Sequence, residues 1–253
     1  MINSMDSLRG MVCLVTGASR GIGRAIAVAA KTAGADVAVN YFRSEKAAAD
    51  LAAQLDGPGG RVIIVKADVS DSEQVDFMFN QVERRLGTVD LLVNNAGVAF
   101  KGLLTDTGDE DWARLMAVNL TGPFLCSRRA LPSMFKKRFG RIVNIASMQG
   151  VCGASCEAAY AASKGGLIAL SKSLAAEAGP SGITVNAIAP GPVMTDMLLA
   201  DLDEEEMAGL LSLLPAGRWG QPEDIARACL FFLSPHNSYI NGSVLAVDGG
   251  WKA

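Results

Sequence analysis

Tyr160 and Lys164 stand four residues apart in the run Ala158 to Ala178, so on a helix they share one face and reach a common ligand. A free tyrosine, with a pKa of about 10, is a poor proton shuttle at neutral pH. An ammonium group beside it favours the phenolate and turns it into a workable acid and base. Ser147 closes a strand-like run thirteen residues before Tyr160, where its hydroxyl suits a substrate carbonyl oxygen. Asn119, in Val118-Asn119-Leu120, is open to two readings: a satisfied amide in an apolar helix, or a member of the same polar group. Histidine chemistry has almost no material, because His236 is the only histidine, and in Ser234-Pro235-His236-Asn237 it reads as a surface turn. A His-rich metal site and a Ser-His-Asp triad are both excluded, and no metal is expected.

A second group lies near the start. Thr16-Gly17-Ala18-Ser19-Arg20-Gly21-Ile22-Gly23 follows an apolar run and precedes the helical stretch Arg24 to Ala33. Strand, glycine turn and helix in that order let the backbone approach a pyrophosphate at a helix N-terminus. The spacing Gly-x-x-x-Gly-x-Gly is a relative of the usual dinucleotide fingerprint. About 20 residues on, where NAD sites carry an acidic residue for the ribose 2′-hydroxyl, the chain reads Val39-Asn40-Tyr41-Phe42-Arg43-Ser44 without a carboxylate. Arg20 and Arg43 can instead converge on a 2′-phosphate, with Asn40 and Ser44 adding neutral hydrogen bonds and Tyr41 beside them, which favours NADP(H). The alternative is that both arginines are simply solvated.

These groups need a scaffold. The chain of 253 residues is 50% hydrophobic and 19% charged with a net charge of -3, which fits one large α/β domain over 1–253 and excludes extended disorder. Neither nucleic acid nor another polyanion is suggested as a partner. Seven apolar runs read as strands buried on both faces: Met11 to Thr16, Asp36 to Tyr41, Arg61 to Lys66, Val89 to Val93, Arg141 to Ile145, Thr184 to Ile188 and Val244 to Val247. Alternating with amphipathic stretches, they predict a Rossmann-type doubly wound parallel seven-stranded sheet in a three-layer α/β/α domain. Gly57 to Gly60 reads as a turn and Asp201 to Glu206 as an acidic helix start. Along Ala158 to Ala178, the residues Ala159, Ala162, Leu167, Ile168, Leu170 and Leu174 leave little polar face. Such a helix wants cover on two sides, so a homo-oligomer is expected.

Five cysteines without a C-x-x-C pair suit reduced thiols, with Cys152 and Cys156 left as a pair that could face each other. Met1 to Gly10 carries no apolar signal core, and no stretch reaches the roughly 18 apolar residues of a membrane span. A soluble cytoplasmic protein is the expectation.

Together these residues resemble the short-chain dehydrogenase/reductase family, from Val12 to Gly250. Thr16 to Gly23 resembles its cofactor loop, Asp68-Val69 its adenine contact and Asn94-Asn95-Ala96-Gly97 its fourth-strand motif. Pro190-Gly191 with Val193 and Thr195 resembles its nicotinamide segment, and Asn119, Ser147, Tyr160 and Lys164 match its catalytic tetrad. The resemblance implies hydride transfer between nicotinamide and a carbonyl or secondary alcohol, with Tyr160 protonating the alkoxide and Ser147 polarising the carbonyl. Lys164 would then bind the nicotinamide ribose, and Asn119 would hold a water relaying protons to Lys164.

Within the family the chain most resembles the 3-oxoacyl-[acyl-carrier-protein] reductases of fatty-acid synthesis, generally tetramers, which implies a homotetramer here. The ending Tyr239-Ile240 to Gly250 is shared with sugar, steroid and small-ketone dehydrogenases, which stay open as alternatives, as does a non-catalytic NADP-sensing protein. An acidic carrier protein needs basic residues at the active-site mouth. Arg138 matches one expected arginine, whereas Ser181 stands where a second is expected, so acyl carrier protein is a candidate partner only through Arg138. Lys136 to Arg141 reads equally well as a solvated helix end. A substrate lid is expected over Met194 to Leu214, rich in Met and Leu. Those side chains suit an acyl substrate or plain core packing, and Cys152 and Cys156 are expected near the pocket.

Overall fold

The computed structural model describes residues 8–201 and 203–252; the segment Met1 to Ser7, read above for its lack of a signal core, lies outside them. Seven parallel strands form one sheet in the order β3-β2-β1-β4-β5-β6-β7. They are β1 (Val12–Val15), β2 (Asp36–Tyr41), β3 (Val62–Lys66), β4 (Leu91–Asn94), β5 (Gly140–Ile145), β6 (Ile183–Pro190) and β7 (Val244–Val247). Strand order reverses between β1 and β4, and the carboxyl ends there open the crevice in which such sheets bind ligands.

Alternation along the strands divides the core into two layers. Cys13, Val15, Val37, Val39, Val93 and Val143 belong to one layer, Val12, Leu14, Ala38, Leu92 and Ile142 to the other. The first is closed by α1 (Gly21–Thr32), α2 (Glu45–Gln54) and α10 (Pro222–Leu233), the second by α3 (Ser72–Arg85), α5 (Gly122–Lys137) and α7 (Ala158–Ala178). Short helices α4 (Asp109–Met116), α6 (Gln149–Cys152), α8 (Asp196–Asp201) and α9 (Glu204–Ser212) complete the set. Two of these starts follow simple capping chemistry. Asp71 accepts from Glu73 N at 2.9 Å and Gln74 N at 3.2 Å ahead of α3. Asp203 and Glu206 form a capping box ahead of α9.

The expected elements are present, with three differences. β4 begins at Leu91 rather than Val89, because the buried Asp90 turns its carboxylate to Val12 N at 3.0 Å and Lys137 Nζ at 2.6 Å. Arg141 is no part of a solvated helix end: only 2% exposed, its guanidinium lies 4.6 Å over the Phe139 ring and donates to Gly140 O, Gly182 O and Pro235 O. The apolar helix around Asn119 is interrupted, since Ala117–Thr121 forms a π-helical turn between α4 and α5. His236 sits in an exposed turn, its N–H donating to Ser234 Oγ at 3.3 Å. Among the described residues, no helix is long and apolar enough to cross a membrane.

Candidate active site

Parallel strands bring their carboxyl ends to one edge, where they frame a cleft of about 950 Å³. Its walls hold Gly17, Ser19, Arg20, Gly21, Ile22 and Gly23 from the first loop, and Asn40, Tyr41, Arg43 and Ser44 after β2. Asp68, Val69, Asn95, Ala96, Gly97, Ser147, Tyr160, Lys164, Pro190, Gly191, Val193 and Thr195 complete this set. Every cofactor-site residue expected from the sequence therefore borders one space, and so do three of the four tetrad residues.

The first loop is built for close approach of a ligand. A Cβ at Gly23 would lie 2.4 Å from Asn95 Nδ2 and 2.6 Å from Gly17 O, so only glycine fits. Gly17 has φ +62°, and its own Cβ would meet Ala96 Cα at 2.8 Å. No acidic residue occupies the first turn of α1, so its N–H groups and dipole remain available to an anion. This cradle fits the pyrophosphate of a dinucleotide. Asp68 Oδ1 accepts from Ser70 N at 2.9 Å and Ser70 Oγ at 2.6 Å, which shapes the turn at the far wall.

Two residues of the set do a different job from the one expected. Asn40 is 1% exposed; its Oδ1 accepts from Gly17 N at 3.1 Å, and its Nδ2 donates to Val65 O at 3.3 Å and Ala67 O at 3.1 Å. With the amide spent on backbone, Asn40 positions the glycine loop instead of binding a phosphate. Asn95 likewise donates to Thr16 O at 2.9 Å and Gly17 O at 3.1 Å, while Thr16 Oγ1 accepts from Asn95 N and Ala96 N. Burial first, then the neighbouring Glu45 carboxylate, raises the Tyr41 pKa. Arg20 and Arg43 both border the cleft as expected; Arg20 lies 3.7 Å from Asp196 and Arg43 5.5 Å over the Phe42 ring.

Lys164 is 4% exposed and donates to Ile145 O at 2.9 Å. Its ammonium stands 5.8 Å from the centre of the Tyr160 ring, as their spacing on α7 dictates. Burial lowers its pKa to about 8, because desolvation penalises the charged form. A Cβ at Gly97 would come within 3.4 Å of Lys164 Nζ and 3.3 Å of Asn119 Oδ1, so the glycine leaves room where these side chains converge.

Asn119 is fully buried in the π-helical turn. Its Oδ1 accepts from Val98 N at 2.9 Å, and its Nδ2 donates to Val98 O at 2.9 Å and Ser163 Oγ at 3.1 Å. Both Nδ2 hydrogens are spent, so the side chain positions the segment after Gly97, while Oδ1, which accepts one bond here, keeps a second lone pair to which a relay water would donate. Such π turns recur at functional sites.

The lid segment forms α8 and α9, and Met197, Leu198 and Leu210 face the cleft. Asp201 closes α8, and the residue after it lies outside the described ones. Cys152 and Cys156 do not line the cleft; Cys152 is exposed and Cys156 half-buried. Arg138 is also absent from the cleft. It caps α5 at φ 53° and donates to Pro180 O at 3.0 Å. Since it precedes β5 and Ser147 follows it, roughly 20 Å of strand separate Arg138 from the mouth of its own site. Gln149 borders the cleft and touches Ser147, yet sequence reasoning passed over it. Its position two residues beyond Ser147, in one turn, is the signal that was there.

Comparison with known proteins agrees with this geometry. Residues 17–252 match the family model described as enoyl-(acyl carrier protein) reductase. The chain is 43% identical to the 3-oxoacyl-[acyl-carrier-protein] reductase FabG of Haemophilus influenzae, over 96% of this chain and 98% of the relative. It is 41% identical to the 3-oxoacyl-[acyl-carrier-protein] reductase of a Synechocystis strain, over 97% and 98%. Among solved structures, a blue fluorescent protein from a metagenomic library in complex with NADPH superposes with TM-score 0.91 at 38% identity, covering 98% of this chain and all of that one. The cleft, the strand order and these full-length matches place the chain in the short-chain dehydrogenase/reductase family of oxidoreductases.

Proposed function

We propose that this chain is an NADPH-dependent carbonyl reductase acting on 3-oxoacyl thioesters, in a soluble cytoplasmic setting. The observation that carries the reading is one cleft lined at once by the glycine loop, Ser147, Tyr160 and the buried Lys164. The names of the two 3-oxoacyl reductase relatives support the substrate class. The similar blue fluorescent protein solved in complex with NADPH, with Arg20 and Arg43 at the cleft of this chain, supports the cofactor.

When bound, the nicotinamide cofactor supplies a hydride to the carbonyl carbon. Ser147 donates its hydroxyl hydrogen to the carbonyl oxygen and holds it in place. Tyr160 gives its phenolic proton to that oxygen as the C=O π electrons collapse onto it, leaving a secondary alcohol and a phenolate. Lys164 stabilises the phenolate through its ammonium and would hold the nicotinamide ribose. Arg20 and Arg43 would hold the 2′-phosphate, while Asn40, Asn95 and Asn119 keep the loops in register.

The outer face of α7, carrying Ala162, Ala169 and Ala176, is exposed, as are Phe124 on α5 and Leu245 on β7. These surfaces support a homotetramer. Carrier-protein docking through Arg138 would in that case serve the mouth of a neighbouring subunit, since its own lies at the other edge of the sheet.

The family model's description favours a second reading, an enoyl thioester reductase. The test is steady-state kcat/KM with acetoacetyl thioester, crotonyl thioester, and a panel of sugars, steroids and small ketones, each with NADPH and NADH. Preference for the acetoacetyl thioester with NADPH is expected. Preference for crotonyl thioester or a sugar would overturn the substrate, and absence of all turnover would turn the chain into a nucleotide sensor.

A further inference from the structure

Among the described residues, both hydrogen-bond partners of the Ser147 hydroxyl come from one residue. Ser147 Oγ donates to Gln149 Oε1, and Gln149 N donates back to Ser147 Oγ at 3.2 Å. A carbonyl oxygen that takes the Ser147 hydrogen must therefore displace Gln149 Oε1. The backbone of Gln149 has no room to retreat. It opens α6, and the next residue, Gly150, packs so closely on α7 that a Cβ there would lie 2.7 Å from Lys164 C and 2.9 Å from Gly165 N. Only the side chain can turn. Gln149 borders the cleft, and among the described residues its Nε2 has no hydrogen-bond partner. Two unspent N–H donors thus stand beside the group that grips the reacting oxygen.

We propose that Gln149 is a specificity-determining residue: its Nε2 donates to a second acceptor oxygen, on the carbon two positions from the reacting carbonyl, and so selects 1,3-dicarbonyl thioesters over isolated ketones. The inference rests on the carbonyl-reductase reading above. A 3-oxoacyl thioester brings such an oxygen in its thioester carbonyl, and the carboxamide exchanges the bond lost to Ser147 for a new one. An isolated ketone displaces Oε1 and returns nothing, which leaves polar atoms unpaired at the site.

Gln149→Met removes both polar atoms at nearly constant volume. The substrates are acetoacetyl-N-acetylcysteamine and a matched ketone whose thioester C=O is replaced by CH₂, with NADPH binding followed by fluorescence. The thioester's kcat/KM is expected to fall about tenfold, the ketone's to stay within about threefold or rise, and the NADPH Kd to be unchanged. Equal falls for both substrates, or an unchanged thioester value, would overturn the proposal. Gln149→Glu, which accepts but cannot donate when ionised, is expected to lose the same preference, and it carries the test if the methionine variant does not fold; a retained preference overturns the proposal. A wild-type enzyme that reduces ketones but not the thioester overturns the proposed substrate itself, and this inference with it, a result recognisable without any variant.

Discussion

Replacing Lys164 by methionine is expected to make the folded chain more stable at neutral pH while abolishing turnover. Burial holds this amine down from its ordinary 10.5 to about 8. At about 1.4 kcal/mol for each pH unit, the charged amine costs the fold about 3 kcal/mol. The bond from Lys164 Nζ to Ile145 O offsets about 1 kcal/mol of that, so methionine is expected to gain about 2 kcal/mol. The direction with pH follows from proton counting. Unfolded Lys164 keeps its proton up to about 10.5, and the folded residue only up to about 8. The unfolded state therefore binds more protons across that window, and wild-type stability rises through it. The advantage of methionine is full below pH 8 and shrinks toward pH 10.5. Urea unfolding of both proteins without cofactor, over a pH series, reads Lys164 and the Tyr160 hydroxyl coupled to it, because groups away from this pair titrate alike in the two. A variant less stable than wild type at neutral pH, or a difference that does not change with pH, would refute the reasoning.

Gly23→Ala is expected to weaken NADPH binding strongly and to cost about 1–3 kcal/mol of stability, because the methyl group would press on Asn95 and the Gly17 carbonyl; titration and thermal unfolding check it. Arg43→Ala is expected to raise the NADPH Kd about tenfold or more while leaving NADH unchanged, read by parallel fluorescence titrations. A thiol reagent is expected to label Cys152 and Cys156 quickly in the native protein. Cys13, Cys126 and Cys229 should react only on unfolding, since burial pushes the first two thiols up to about 12 and the third well above its ordinary range. Mass-spectrometric counting of labels over time tests this.

What the sequence made legible was local. Strand runs buried on both faces, a glycine turn at the first strand–helix junction and a Tyr-Lys spacing of four are patterns within a few residues, and α7 runs over the same Ala158–Ala178 stretch that the pattern suggested. What it hid was long-range pairing of polar side chains. Nothing near Asn40 says that its amide will clamp Gly17, 23 residues away, and Asn95 reaches Thr16 across 79 residues. Arg141 looked like part of a basic surface run because its partners at Gly182 and Pro235 become neighbours only when the strands and loops assemble. The π turn at Asn119 is equally invisible to a period of 3.6 residues. Gln149 was a matter of emphasis: a motif names the serine and not the side chain that occupies it.

The most direct test of the whole reading is Tyr160→Phe, which removes one oxygen from the cleft. Turnover of acetoacetyl thioester with NADPH is expected to fall about a thousandfold, with NADPH affinity within a few-fold of wild type by fluorescence titration. Near-normal turnover in that variant would contradict the assignment of the proton donor, and with it the mechanism built on the cleft.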